Sequence, residues 1–409
     1  MILIDNMTWS RSYMFPYMMA IYLVYSIVSS FSVYYVGTYS KIFIVLLLFI
    51  TAFAVRDKVF SNFTQARIFF IGWCIVFFMA TVINASWPSK PQILSFLFCT
   101  FFLSLNNETQ LKIFRKYVWL LALLVLLSAV EYIAFSLFRK GFVLTTVTRV
   151  QPQGDTNFYH LLFNVIAQSL VPRFQGLFKE PGNLGTTCAF MLFATWKDKS
   201  LKWPFYIFLI CGMLSLSLGY YVFLAIFVLT SIKPNVKNVF ILIMLSLPVL
   251  YMFGDSFERR IIERINNASS LSDLDNRTTY SFDRAFKEAY ENGDLWMGVG
   301  SRNMPDSISV DGGNAGAKKW IFQYGIISGI IVFYFYYLVY FLRARRKFEY
   351  YDLVFLLVFW ICFYKSVVFT TPSLFIIYCI MPLLNKTEDI TTEEVTTSND
   401  ISTNTDDSN

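Results

Sequence analysis

The sequence predicts an all-α fold, a polytopic integral membrane helix bundle of about 12 transmembrane helices, with two longer outward-facing loops that contain short helices. Three observations predict it. Apolar residues make up 56% of the 409 positions and charged ones 15%, with a mean hydropathy of +0.52, far from the composition of a soluble globular chain. Apolar runs of membrane-crossing character recur along nearly the whole chain, which points to one bundle rather than several soluble domains. Lys and Arg gather in alternate short loops, the pattern that orients spans across a bilayer.

In chain order, the apolar run from Tyr13 to Tyr35 follows Arg11 without a small-residue cleavage motif, which predicts a first span at 13–36 rather than a signal peptide. Further spans are predicted at 41–55, 68–84, 92–105 and 117–138. A first long loop, 139–182, precedes spans at 183–196, 203–217, 219–232 and 238–253. The stretch from 203 to 232 also reads as one long helix, so the break at Ser217 to Gly219 decides between one element and two. A second long loop, 254–318, leads to spans at 319–342, 352–365 and 371–384. The bundle therefore occupies 1–385, and 386–409 is a tail of Thr, Asn, Ser, Asp and Glu that cannot bury enough surface to order itself. That tail holds one lysine and seven acids, a charge of −6, so the net +7 of the whole chain leaves +13 on the bundle.

The cationic short loops carry Arg56, Lys58 and Arg67, then Lys112, Arg115 and Lys116, then Lys197, Lys199 and Lys202, then Lys233 and Lys237, then Arg343, Arg345, Arg346 and Lys347. The alternating set carries only Lys41, Lys90 and Lys365. An even number of spans then puts both termini in the cytoplasm and both long loops outside. All six cysteines lie within apolar runs, where small buried hydrophobes explain them. One histidine and no Cys cluster give no protein-built metal site, and no motif implies a cofactor or nucleic acid.

Chemistry concentrates in the outward loops. Arg173 to Gly185 reads RFQGLFKEPGNLG, charges and helix breakers at the entrance to an apolar run, where both are costly. Arg173 is a permanently charged fork suited to phosphate, and Lys179 adds a point charge. Glu180 is a candidate base, an orienting partner of Arg173, or half of a salt bridge with it. Pro181 and Gly182 predict a helix start whose free N–H groups suit an anion. His160, in the same loop, is either a packed polar residue or a second proton-transfer candidate.

In the second loop, Asn276 to Asn292 has helical periodicity, with Arg277, Tyr280, Arg284 and Lys287 on one face and Phe282, Ala285, Phe286 and Ala289 on the other. Two readings stand: an interfacial helix whose cations meet lipid phosphates, or an arginine rail for a phosphorylated substrate. Gly298 and Gly300 in MGVGSRN, before Arg302, lack the third glycine of a dinucleotide fingerprint and predict a turn that folds the loop back over the bundle.

These residues resemble a known family. The string R-x-x-G-x-F-x-E-P-x-x-x-G, carried here by Arg173, Gly176, Phe178, Glu180, Pro181 and Gly185, is similar to that of bacterial O-antigen polymerases of the Wzy type, within the O-antigen ligase and polymerase superfamily. The arginine helix, GVG and a following span with Gly325 and Gly329 look like the second signature of that superfamily. Ligases of the superfamily place a histidine late in the large loop, whereas this chain reads DGGNAGAKKW from Asp311 to Trp320.

The resemblance implies a metal-independent membrane glycosyltransferase of lipopolysaccharide or related polysaccharide biosynthesis, multi-pass in the bacterial inner membrane with its active site facing the periplasm. Its implied partners are undecaprenyl diphosphate-linked glycan donor and acceptor, membrane lipids, a chain-length regulator and a flippase. Glu180 and then His160 are the implied catalytic candidates, with Arg173, Lys179, Arg277, Tyr280, Arg284 and Arg302 binding substrate. The alternatives are an O-antigen ligase and a lipid-linked oligosaccharide flippase or transporter, the latter set back by charges lying at span ends and by the lack of a repeat between halves.

Overall fold

The computed structural model describes residues 2–27, 50, 59–84, 88, 90–138, 143–149, 156–167, 173–178, 180–231, 280–300, 316–344, 350–365 and 371–384. Apart from Ile50, the predicted span 41–55 lies outside the described residues, as do the span 238–253 and the tail. The chain runs through α1 (Ile2–Ile27), α2 (Phe63–Asn84), α3 (Lys90–Ser104) and α4 (Asn107–Phe138), then three strands, β1 (Thr145–Arg149), β2 (Thr156–His160) and β3 (Val165–Ala167). Helices α5 (Pro181–Thr195), α6 (Lys202–Leu214) and α7 (Leu218–Ser231) follow, then α8 (Tyr280–Glu291), α9 (Gly316–Ala344), α10 (Tyr350–Lys365) and α11 (Pro372–Leu384). Single 3-10 turns at Lys199–Leu201 and Asp294–Trp296 precede α6 and follow α8.

Helices α2, α4 and α9 are long and apolar enough to cross a membrane, and five shorter helical stretches among the described residues are predominantly apolar. Their outward faces are apolar too: Phe78, Val82, Leu123, Val130, Phe333 and Phe341 are exposed. A continuous surface of this kind is unfavourable in water and suits lipid, so the described chain is a multi-pass helical membrane protein.

At the centre stands α11, every residue of which from Pro372 to Leu384 is buried. Phe375 and Tyr378 of α11, Phe69 of α2 and Tyr336 of α9 form an aromatic cluster with ring centroids 4.9–5.8 Å apart between neighbours. Helices α2 and α9 approach so closely that a Cβ on Gly72 would stand 2.4 Å from the Phe335 ring. Glycine is needed there for want of room.

The helix ends sort into two sets. At one end, Arg343 of α9 is 2% exposed; its Nε donates to the Cys379 carbonyl at 2.9 Å, its Nη1 to Gln65 Oε1 at 2.8 Å and its Nη2 to Gln110 Oε1. Gln110 Nε2 in turn donates to the Phe102 and Leu105 carbonyls at 2.9 and 2.7 Å, at the end of α3. Arg115 reaches Asp198 at 2.9 Å at the same end, which thus collects the loops rich in Lys and Arg. At the other end lie Asn84, the strands, the start of α5 and the segment 297–300.

The first long loop corrects the expectation of an all-α chain with short helices in both loops. It forms a three-stranded antiparallel sheet in the order β1-β2-β3, with Thr145 opposite His160 and His160 opposite Val165. The sequences TTVTR, TNFYH and VIA are rich in β-branched and aromatic residues, which suit a pleated strand better than a helix. The stretch from 203 to 232 resolves into two helices, α6 and α7, joined by Ser215–Ser217. The predicted span 117–138 begins ten residues earlier, because Asn106 caps α4 by accepting the Thr109 N–H at 2.8 Å.

Candidate functional site

Helix α4 carries a polar shelf on which the first outward loop rests. Glu131 accepts the Leu162 and Phe163 N–H groups at 2.9 and 2.8 Å. One turn earlier, Ser128 Oγ lies 2.5 Å from the Phe163 carbonyl, and Asn164 Nδ2 donates to the Ser128 carbonyl at 3.0 Å. The turn between β2 and β3 is closed by Leu161 N–H donating to the Asn164 carbonyl at 2.8 Å. These bonds satisfy backbone groups that would otherwise be stranded beside an apolar bundle.

The shelf also receives the opening of the RFQGLFKEPGNLG segment. Val165 N–H donates to the Gly176 carbonyl at 3.0 Å, so β3 and the segment are joined. Gly176 takes a φ of 56° in a turn closed by Phe178 N–H to the Gln175 carbonyl at 3.0 Å. A Cβ there would be strained and would stand 3.4 Å from Ser128 Cβ. Phe174 stacks near Tyr132 of α4 at 5.3 Å, and Phe174, Gln175, Leu177 and Phe178 are all buried.

Arg173 reaches across to the α6–α7 junction, where its Nη2 donates to the Leu216 carbonyl at 2.9 Å. Leu216 has a φ of 47°, the one positive φ of a non-glycine among the described residues, and it is 2% exposed. Such a conformation is uncommon for a bulky side chain and is held here by its surroundings. Ser215 N–H and Oγ bond back to the Gly212 carbonyl, so the end of α6 is capped internally. The Leu216 carbonyl points instead at the guanidinium.

Helix α5 starts at this place. Glu180 is its N-cap in extended conformation (φ −147°, ψ 149°), its side chain makes no cap bond, and Pro181 occupies the first turn as the sequence predicts. Gly185 faces Ser215 and Ser217, and a Cβ on it would come within 2.8 Å of Ser217 Cβ and 2.9 Å of Ser215 Oγ. The starts of α5 and α7 therefore meet across a glycine, with Arg173 fixed beside them. Each motif position has a local reason: a turn at Gly176, a buried ring at Phe178, a helix start at Pro181 and a close crossing at Gly185.

The second loop docks elsewhere, on α9. Phe282 and Ala289 of α8 are buried together with Leu295 and with Phe322 of α9, and Phe286 packs against them. The apolar face of α8 is thus spent on protein. Its cations have carboxylate neighbours: Arg284 with Glu288 at 3.7 Å, Lys287 with Glu291 at 3.8 Å, and Asp283 with Lys318 at 3.4 Å. The helix Tyr280–Glu291 carries two cations and three acids, so the expected arginine rail is not cationic over these residues.

Segment 297–300 is threaded into a break in α9. Gly325 sits at φ 84° and ψ 162° inside the helix, freeing carbonyls of the preceding turn. Val299 N–H takes the Phe322 carbonyl at 2.7 Å, and Asn84 Nδ2 lies 2.8 Å from the Met297 carbonyl and 3.4 Å from that of Gln323. Gly298 and Gly325 face each other with backbone in contact: a Cβ on Gly325 would stand 2.4 Å from the Met297 carbonyl carbon. The fold-back predicted from the glycines is present, and its receptor is the span's own glycine.

Of the predicted site residues, Arg173 is tied to the α6–α7 junction and Glu180 caps α5, while the strand that carries His160 pairs at Val165 with β3, whose N–H at Val165 meets the Gly176 carbonyl. The His160 side chain is fully enclosed at 0% exposure. Arg284 stands exposed on α8, and Tyr280 begins that helix. Lys179, Arg277 and Arg302 lie outside the described residues. Sequence reasoning missed Glu131, Ser128, Leu216 and Asn84, and it placed Arg343 among loop cations where the structure buries it in α9. A signal existed for Glu131, the one acid inside the apolar run 117–138. No group of His, Cys, Asp and Glu among the described residues has the arrangement of a metal site. Compared with known proteins, the chain matches no family model, no curated protein and no solved structure.

Proposed function

We propose that the chain polymerises lipid-linked oligosaccharide repeat units, passing the growing glycan from undecaprenyl diphosphate to the next unit on the periplasmic face of a bacterial inner membrane. The observation that carries the proposal is Arg173, tied to the Leu216 carbonyl where the starts of α5 and α7 meet. Glycosyl transfer from a diphosphate needs no strong general acid, because the leaving group is already stable. It needs fixed positive charge where negative charge develops, and the Arg173 guanidinium held at the α6–α7 junction supplies that in this reading. Opposite it, the acceptor hydroxyl must lose a proton as its oxygen attacks the anomeric carbon. Glu180, the N-cap of α5, takes that role in this reading, ahead of the enclosed His160.

The sidedness rests on charge. The loops rich in Lys and Arg lie at the Arg343 end of the bundle, and Arg173 lies at the other, which the positive-inside rule makes the periplasmic side. Lys179, Arg277 and Arg302 belong to the proposed binding set by sequence, whereas Arg284, already met by Glu288, contributes less.

The experiment is deletion of the gene and analysis of surface glycan by gel. A single repeat unit on the lipid core, without a long-chain ladder, is expected; loss of that unit as well refutes the polymerase. Arg173→Ala expressed at normal level should reproduce the deletion, since losing a fixed donor at a developing anion costs on the order of 10²–10³ in rate. An undiminished ladder removes Arg173 from the mechanism.

A second reading draws on the same junction. Helices broken inside a bundle, with charge at their ends, are also how transporters hold anionic solutes. Purified protein in vesicles separates the two: a polymerase lengthens glycan without moving lipid, and a transporter moves lipid-linked substrate without lengthening it.

A further inference from the structure

We infer that Glu131 of α4 is a positioning residue that sets the place of the Arg173 segment, an inference that rests on the polymerase reading only for its effect on catalysis. Arg173 lies in no helix or strand, so its guanidinium is located by whatever holds residues 173–178. Three links do so on the α4 side: Phe174 against Tyr132, Gly176 over Ser128, and the Val165 N–H to the Gly176 carbonyl. The third link hangs from β3, and the turn that starts β3 is fixed by the Glu131 carboxylate, which takes the Leu162 and Phe163 N–H groups at once.

Spacing on α4 makes the shelf continuous. Residues 124, 128, 131 and 132 fall on one helical face, so Leu124, Ser128, Glu131 and Tyr132 present a single ridge. Two oxygens on one carboxylate are what a pair of adjacent amides requires, and an amide side chain offers one oxygen and a competing donor. The half-buried carboxylate therefore has a specific task that neither apolar packing nor a neutral isostere can perform. It touches neither substrate nor reacting atom in this scheme; it acts through residues 161–165 and Gly176 on Arg173.

The test uses the full-length protein purified in detergent, wild type against Glu131→Gln and Glu131→Ala, with two readouts. Amide hydrogen exchange should rise at 162–163 and, in parallel, at 173–178, while α9 is unchanged. In the polymerisation assay kcat should fall at least tenfold in Glu131→Gln with KM within twofold, because a displaced Arg173 weakens interaction with the developing charge more than binding. Glu131→Ala should be worse in both. If exchange rises at 162–163 and stays at the wild-type level at 173–178, the coupling is refuted; if both rise and kcat is unchanged, the positioning role is refuted. If the wild-type protein polymerises nothing, the polymerase reading fails, and the exchange measurement still decides whether Glu131 governs the Arg173 segment.

Discussion

Replacing Gly325 by alanine tests the description of the second loop most sharply. At φ 84° and ψ 162°, a region essentially confined to glycine, an L-residue is strained by about 1–3 kcal/mol. The added Cβ would also stand 2.4 Å from the Met297 carbonyl carbon and 2.6 Å from the Trp296 oxygen, backbone atoms with no rotamer to yield. Segment 297–300 must then withdraw. Withdrawal gives up the 2.7 Å bond from Val299 to Phe322 and the Asn84 bond to Met297, about 1 kcal/mol each. The sum is a loss of about 3–5 kcal/mol, a fall of several degrees in apparent melting temperature for a chain of this size. Gly329→Ala is the internal control. It lies one turn on in the same string, its φ is ordinary, and its Cβ would meet only Trp320 at 3.9 Å. That variant should melt at or slightly above the wild type. Equal melting of the two variants in the same detergent would refute the threaded break in α9.

Arg343 supplies a second test: Arg343→Lys keeps the charge but loses the fork that reaches Cys379, Gln65 and Gln110, and should destabilise by about 2–4 kcal/mol in thermal melts, nearly as much as Arg343→Ala. Gly185→Ala should lower the melting temperature and abolish the glycan ladder, because the α5–α7 crossing must open by several tenths of an ångström; a full ladder would show that the crossing does not shape the site. Arg284→Ala should change stability by less than about 0.5 kcal/mol, since an exposed pair with Glu288 contributes little, and should shorten the ladder far less than Arg173→Ala does.

Much of the helical framework was legible in apolar runs, because a segment hydrophobic on all sides has few structures open to it in lipid. Pro181 at a helix start and the paired glycines of MGVG were legible for the same kind of reason, each marking a backbone conformation that few residues adopt. The sheet was not, since TTVTR and TNFYH are too short to stand out beside membrane helices and gain their stability from docking on Glu131 and Ser128. The carboxylates beside the α8 cations were open to view in the sequence: Glu288 and Glu291 follow Arg284 and Lys287 by four residues. Leu216 was invisible, because nothing in a leucine codes for a left-handed backbone; the neighbours impose it.

The short helix before Leu216 has a consequence for depth. Thirteen residues, Lys202–Leu214, rise about 20 Å, some 10 Å less than a typical hydrocarbon core of about 30 Å. Trp203 is 72% exposed at the lysine-rich end, where an indole settles at the membrane–water boundary. With that end held at one boundary, the Leu216 carbonyl and the guanidinium bound to it fall short of the opposite one. For a chain embedded as proposed, the α6–α7 junction then lies below the surrounding headgroup plane, enclosed by the bundle. A polyprenyl lipid would meet Arg173 there with its phosphates drawn beneath the surrounding headgroup plane, entering from the side through the leaflet instead of from the water above.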